Sequence, residues 1–269
     1  DRIDQLAFLT LAGIQYDTKT NGTARPSNTK GQNLVDLEFN SDVSAPSIGA
    51  GDQSRYFRAD ADASGDSLVV ASSNTLVNGF PTANSSAITA SDKMSYEIVV
   101  ELKTKAKENY IRGIRGGGNE EVFHLFLHPR QMADLKLDQD FLTAVRNAGT
   151  RGPSNPFFTG HNGLMVDGVM VHEFRHVPNT LGNATAPQIH GLGAGNSHAA
   201  AALFCGAQAL AMADIGLPEV VEETFDYGNQ HGISIGKIFG FKKPVYNSDH
   251  VVDGTKEQDF GVIRVDTAI

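Results

Sequence analysis

The sequence predicts an α+β domain, and three observations carry that reading. β-patterned segments and helical ones occur in mixed order rather than in regular β-α alternation. An Asp167-Gly168 pair sits between two apolar runs, Leu164-Met165-Val166 and Val169-Met170-Val171, the strongest short-range hairpin signal because a type I′ turn needs positive φ at both central positions. From Asp226 onward the pattern returns to β, through Ile233, Ile235, Ile238 and Phe239 to a last strand over Phe260–Val265.

Taken in order, residues 1–14 predict a short helix with Ile3, Leu6, Leu9 and Leu11 as its apolar stripe and Gly13 as its stop; so few partners lie nearby that the stripe must pack on a distant element or another chain. The opening at Asp1, with neither methionine nor a signal-like segment, leaves a trimmed chain and a proteolytically matured one both open. Residues 15–90 are rich in Gly, Ser, Asn, Asp and Ala and weakly periodic, with short strands expected at Asn33–Phe39 and Leu68–Val70 and turns around Ala45–Gly51. So long a stretch without periodicity is unusual in a compact enzyme, and it reads as an extended arm or loop ordered by neighbouring subunits.

Residues 91–109 predict the clearest helix, capped by Ser91, with Met94, Ile98, Leu102 and Ala106 on one face and Lys103, Lys105 and Lys107 near the end where the helix dipole favours cations. Glu121–Leu127 reads as a buried strand, followed by a helix with Pro129 at its first position and another over Asp138–Asn147 with Asp138 as cap and Gly149 as stop. The Ala-rich run Ala199–Asp214, with Ser197 as cap and Gly216 as stop, reads as a helix.

The composition bounds the function. The 269 residues carry a formal net charge of -9, which argues against a general nucleic-acid-binding surface. No apolar run approaches the roughly 20 residues needed to cross a bilayer. The single cysteine, Cys205, excludes an intrachain disulfide and reads as a small buried hydrophobe.

One string suggests catalysis: His172-Glu173-x-x-His176, the pattern of a zinc hydrolase with two histidine ligands and a glutamate base. Two histidines four apart share a metal only on a helix, where they are roughly 5–6 Å apart; on a strand they are about 13 Å apart. The hairpin at Asp167-Gly168 and the stop at Pro178 predict an extended backbone from His172 to His176. Arg175 adds a cation between the would-be ligands, and Asn179 and Gly182 replace the Gly and His of the extended pattern. Spacing alone leaves Glu219, Glu222 or Glu223 open as a third ligand.

The other candidates read as structural. Arg112–Asn119 lacks the order of a phosphate-binding loop and has no strand before it, so a mobile loop is expected. Gly191, Gly193 and Gly195 precede a helical pattern but follow Pro187 rather than a strand. His124 and His128 flank a strand and a helix start, and the lysines at 103, 105 and 107 form a solvated face. No catalytic, cofactor-binding or metal-ligating residue is therefore assigned, and no cofactor.

Four phrases together resemble a tailed-bacteriophage major capsid protein, in the podophage branch with a virion-carried RNA polymerase. They are F-H-L-F-L-H-P-R-Q-M-A-D-L-K-L-D (123–138), N-G-L-M-V-D-G-V-M-V-H-E-F-R-H-V-P (162–178), A-L-F-C-G-A-Q-A-L (202–210) and D-F-G-V-I-R-V-D-T-A (259–268). The resemblance is strongest from about residue 91 onward. It implies the Hong-Kong-97-like shell fold, with an N-terminal arm (1–40), an extended loop (41–90), a peripheral domain with a spine helix (91–120), an axial domain (121–225) and a return to the peripheral domain (226–269). It further implies no active site, self-assembly into an icosahedral shell of hexamers and pentamers around double-stranded DNA held without sequence-specific binding, and no membrane. Scaffold, portal and decoration proteins would be partners, the assembly place would be the bacterial host cytoplasm, and the final location the virion capsid. The acidic balance suits a shell that must not grip packed DNA.

Overall fold

The computed structural model describes residues 2–12, 55–61, 67–70, 76–77, 80–81, 88–115, 121–148, 163–181, 197–247 and 257–269. The expected strand at Asn33–Phe39, the Ala45–Gly51 turns, the stops Gly13 and Gly149, and Gly191, Gly193 and Gly195 lie outside the described residues.

In chain order the elements are α1 (Arg2–Leu11), β1 (Tyr56–Ala59), β2 (Leu68–Val70), β3 (Leu76–Val77), β4 (Phe80–Pro81), α2 (Tyr96–Glu108), β5 (Ile114–Arg115) and β6 (Glu121–Leu127). There follow α3 (Pro129–Leu137), α4 (Gln139–Ala148), β7 (Gly163–Val166), β8 (Val169–Glu173), β9 (Ala199–Cys205), β10 (Ala211–Asp214) and β11 (Glu219–Phe225). After a 3-10 turn at Asp226–Gly228 come β12 (Gln230–Gly236), β13 (Phe239–Lys242), β14 (Val245–Asn247), β15 (Glu257–Asp259) and β16 (Val262–Ala268). The class is α+β, as the pattern predicted.

One mixed sheet organises the body, in the order β2-β1-β16-β9-β6-β8-β7, with β5 pairing the start of β6. β1/β16 and β6/β8 are parallel pairs; the other neighbours on this path are antiparallel. Both faces are covered. On one, Ile98, Val99, Leu102 and Ala106 of α2, Met132 and Leu135 of α3 and Phe141 of α4 pack on Phe123, Leu125, Val171, Phe204, Ile263 and Val265. On the other, Phe8, Leu9 and Leu11 of α1 meet Ala199, Ala201, Leu203 and Val262. The apolar side of α1 thus finds its cover within its own chain, although residues 1–40 were expected to reach out as an arm; Ile3, expected in the stripe, is exposed. Likewise β1 and β2, inside the stretch expected as an extended loop, are strands of this sheet.

The Ala199–Asp214 helix is corrected. Ala199–Cys205 is the central strand β9, flanked by β16 and β6, with Ser197 before it rather than capping a helix. All seven residues are buried; alternate alanines face the two helical layers, and burial on both faces overrides their helical propensity. The start of α2 also moves. Its cap is Ser95, whose hydroxyl accepts from the Ile98 N–H, not Ser91. The buried Asp92 carboxylate accepts from the N–H groups of Ala61 and Thr89 and from the Thr89 hydroxyl, holding that segment in a turn.

Buried polar groups pin the layers together. Gln131 donates to the Ala200 carbonyl (2.9 Å) and the Thr267 hydroxyl (2.8 Å), tying α3 to β9 and β16. Arg264 grips Asp266 through Nε (3.0 Å) and donates from Nη1 to the Ala12 carbonyl (3.0 Å), clamping the end of α1 to the sheet. Lys243 and Asp259 form a second buried pair at 2.9 Å.

Candidate functional site

Asp167 (φ 46) and Gly168 (φ 77) make the type I′ turn that the sequence signalled, and β8 returns along β6 with Phe126 opposite His172. Strand alternation then separates the catalytic string. His172 lies on the α1 side, where its Nε2 is 2.9 Å from Nδ1 of His124. Glu173, the next residue, lies toward α3, its carboxylate 3.9 Å from Lys136 Nζ. The strand ends at Glu173, so His176 does not continue it as expected: it sits in a turn where the Val177 N–H donates to the Phe174 carbonyl. Glu219, Glu222 and Glu223 lie on the exposed β11. Among the described residues no three His, Cys, Asp or Glu side chains converge on one point. The zinc-hydrolase geometry is absent because its helix is absent.

The histidines have another arrangement. The rings of His124 and His172 are nearly coplanar, 6° apart with centroids at 5.1 Å. With 2.9 Å between the nitrogens, the rings meet in line through one shared N–H. His172 also stacks on Phe126 at 5.1 Å; Phe8 of α1 meets Phe126 edge-on and stacks on Phe174, and Phe174 meets His176. Burial, and secondarily the facing His124, holds His172 below the usual imidazole value; burial and then Arg175 do the same for His176, against Asp4. The row is a packing seam under α1. His128 caps α3: its Nδ1 accepts from the Arg130 N–H while Gln131 Oε1 accepts from its own N–H, a reciprocal box.

The surface that stands apart is a ribbon. Among the described residues β11 and β12 pair only with each other, Glu219 opposite Gly236 through Phe225 opposite Gln230, above the shorter β10/β13 pair. Val220, Ile233 and Ile235 form one face of it and are 57%, 68% and 71% exposed, while Ile215, Leu217 and Ile238 are exposed at its base. At its root Phe241 packs on Leu6 of α1. The sequence showed β pattern from Asp226 onward, which covers β12 and not β11, and it did not show that the ribbon leaves the body, since its apolar content looks like that of a core strand. A basic groove lies near that root. The Arg112 carbonyl accepts from the Ala207 N–H, and Lys107, Tyr110, Ile111, Arg112, Glu121 and Phe260 line a space of about 530 Å³. Arg112–Asn119 was expected as a loop; its Ile114–Arg115 is instead β5, an edge strand on β6.

Comparisons with known proteins bear on these surfaces. A family model described as phage capsid protein matches residues 2–269. The major capsid protein of Pseudomonas phage KPP25 is 47% identical over 266 residues, covering 98% of this chain and 63% of that protein. Among solved structures, the capsid of Ralstonia phage GP4 (22% identical, TM-score 0.58) and the cyanophage Pam1 capsid (20% identical, TM-score 0.63) each align over 99% of this chain and over 63% and 64% of theirs. The chain therefore spans under two thirds of the length of the relatives it matches, and the fold it shares with those shells is the Hong-Kong-97-like one. With a matching model over nearly its whole length, the chain belongs to the phage capsid protein family.

Proposed function

We propose that the chain is a structural, non-enzymatic subunit of an icosahedral phage shell enclosing double-stranded DNA. One observation carries this reading beyond family membership: the Glu219–Gly236 ribbon. A two-stranded ribbon is marginal alone in water, and contiguous exposed apolar surface marks an interaction site. The ribbon's side chains gain cover only when another surface meets them. The finer picture belongs to the same proposal: hexamers and pentamers, assembly in the host cytoplasm, scaffold, portal and decoration proteins as partners, and DNA held without sequence-specific contacts.

The expected division into arm (1–40), loop (41–90), spine-helix (91–120), axial (121–225) and returning (226–269) segments is carried along as a proposal. The sheet joins strands from four of these segments, so the boundaries would run through one folded body. The test is expression of the protein followed by sedimentation and electron microscopy. Closed particles are expected; a stable monomer at every concentration and salt condition would refute the reading.

A further inference from the structure

Two surfaces of this chain are left open and match each other. The ribbon Glu219–Gly236 carries four carboxylates, Glu219, Glu222, Glu223 and Asp226, and no Lys or Arg. Its apolar trio Val220, Ile233 and Ile235 flanks Glu222 on the same face, because Glu222 pairs with Ile233 and Val220 with Ile235. The groove carries the opposite charge beside its own apolar surface. Lys107, Tyr110 (88% exposed) and Arg112 line it and are exposed, Ile114 (44%) and Arg115 are exposed on the adjoining β5, and Glu121 is the one carboxylate among its described lining residues. Four other exposed or half-exposed lysines are paired within the chain: Lys93 with Asp134, Lys103 with Asp167, Lys136 with Glu173 and Lys237 with Asp214.

We infer that the ribbon face carrying Val220, Glu222, Ile233 and Ile235 docks on the Lys107–Arg115 surface of a second copy, Glu222 on the cations and the aliphatic side chains on Tyr110 and Ile114. Within one copy the contact is not made, since the ribbon's side chains remain exposed although its root lies beside the groove. The contact is heterologous: one surface gives, a different one receives, and each copy has both. Such contacts propagate into rings or open arrays rather than closing as a two-fold dimer. Among the described strands β5 pairs only with β6, which leaves an outer edge to which the ribbon could add as a strand.

This inference rests on the shell reading, and a charge exchange separates the two. Arg112→Glu with Arg115→Glu, or Glu222→Lys, is expected to lower the yield of sedimenting particles by at least about tenfold, because like charges then face each other. All three together are expected to restore it. Thermal melting of the unassembled chains checks that each set still folds. Where a set does not, chains carrying Glu222→Cys are assembled with differently tagged chains carrying Arg112→Cys. A disulfide between the two tags is then expected, Cys205 being buried and silent. Unchanged yield in the single sets, failed rescue, or no disulfide between the two tags under a mild oxidant would overturn the docking and leave the shell reading standing. No particles from the unaltered protein would overturn both.

Discussion

Acid should weaken this fold through His128 in a calculable way. Its Nδ1 must be unprotonated to accept the Arg130 N–H at the start of α3. Burial, reinforced by the Arg130 charge, lowers its pKa from 6.5 to about 4. The folded value lies below the unfolded one, so its contribution is fully present above pH 6.5 and is lost as pH falls toward 4. In that window the unfolded chain binds a proton that the folded chain refuses, and each pH unit between the two values is worth about 1.4 kcal/mol. The gap between 6.5 and about 4 gives a loss of roughly 3 kcal/mol by pH 4, a large fraction of the usual 5–15 kcal/mol of stability. The assay is urea unfolding of the unassembled protein from pH 7.5 to 4, beside His128→Asn, which keeps a capping acceptor but does not titrate. His172 and His176 have their values lowered in the same way and add to the slope in both proteins, so the difference isolates His128. The variant should lose about one proton from the pH dependence between 6.5 and 4. Equal slopes in the two proteins would refute the argument.

Three further outcomes follow from buried or strained positions. Arg264→Ala strands the fully buried Asp266 carboxylate and frees the Ala12 carbonyl, so denaturation should show a loss of about 3–5 kcal/mol, whereas Arg264→Met with Asp266→Leu should come close to the unaltered protein. Gly168→Ala forces a Cβ into φ +77, and since that Cβ would meet its nearest atom, Lys103 Nζ, at 3.6 Å, backbone strain rather than a clash sets a cost of about 1–2 kcal/mol in the same assay. Burial pushes the Cys205 thiol up to about 12, against the opposing charge of Lys243, so a thiol reagent at pH 8 should label the native protein only as fast as it unfolds.

What the sequence shows and hides has a physical pattern. Elements whose signal is local were legible: Glu121–Leu127 by its run of apolar and aromatic residues, α3 by Pro129, the hairpin by Asp167-Gly168, α4 by Asp138, whose carboxylate also accepts the Tyr96 N–H. Elements decided by distant partners were not. β9 has the composition of a helix and is a strand because β16 and β6 lie on either side of it. Ser91 is a good cap by residue type, but Asp92 is buried at the last strand's end, where its carbonyl takes the Ala268 N–H, and the helix must wait for Ser95. The catalytic string failed for a reason the sequence did contain, the hairpin before it. The turn at His176 was hidden, because a single turn leaves no periodic trace.

The polar interior and the apolar exterior of this chain lead to one conclusion. Its buried polar groups bond protein groups to protein groups: Gln131 ties α3 to β9 and β16, Arg264 holds Asp266 and the end of α1, and Lys243 pairs with Asp259. The exception lies outside: Val220, Ile233 and Ile235 are exposed on a ribbon whose strands, among the described residues, pair only with each other. Their exposure is a standing free-energy cost of about 25 cal/mol for each Å² of apolar surface left in water. A fold that rigidifies its body and leaves such a strip uncovered gains most when a second surface arrives, and its stability should therefore rise with protein concentration, as mass action requires of a subunit that binds its own kind. Melting that is independent of concentration, across a range where particles form, would contradict this coupling between association and stability.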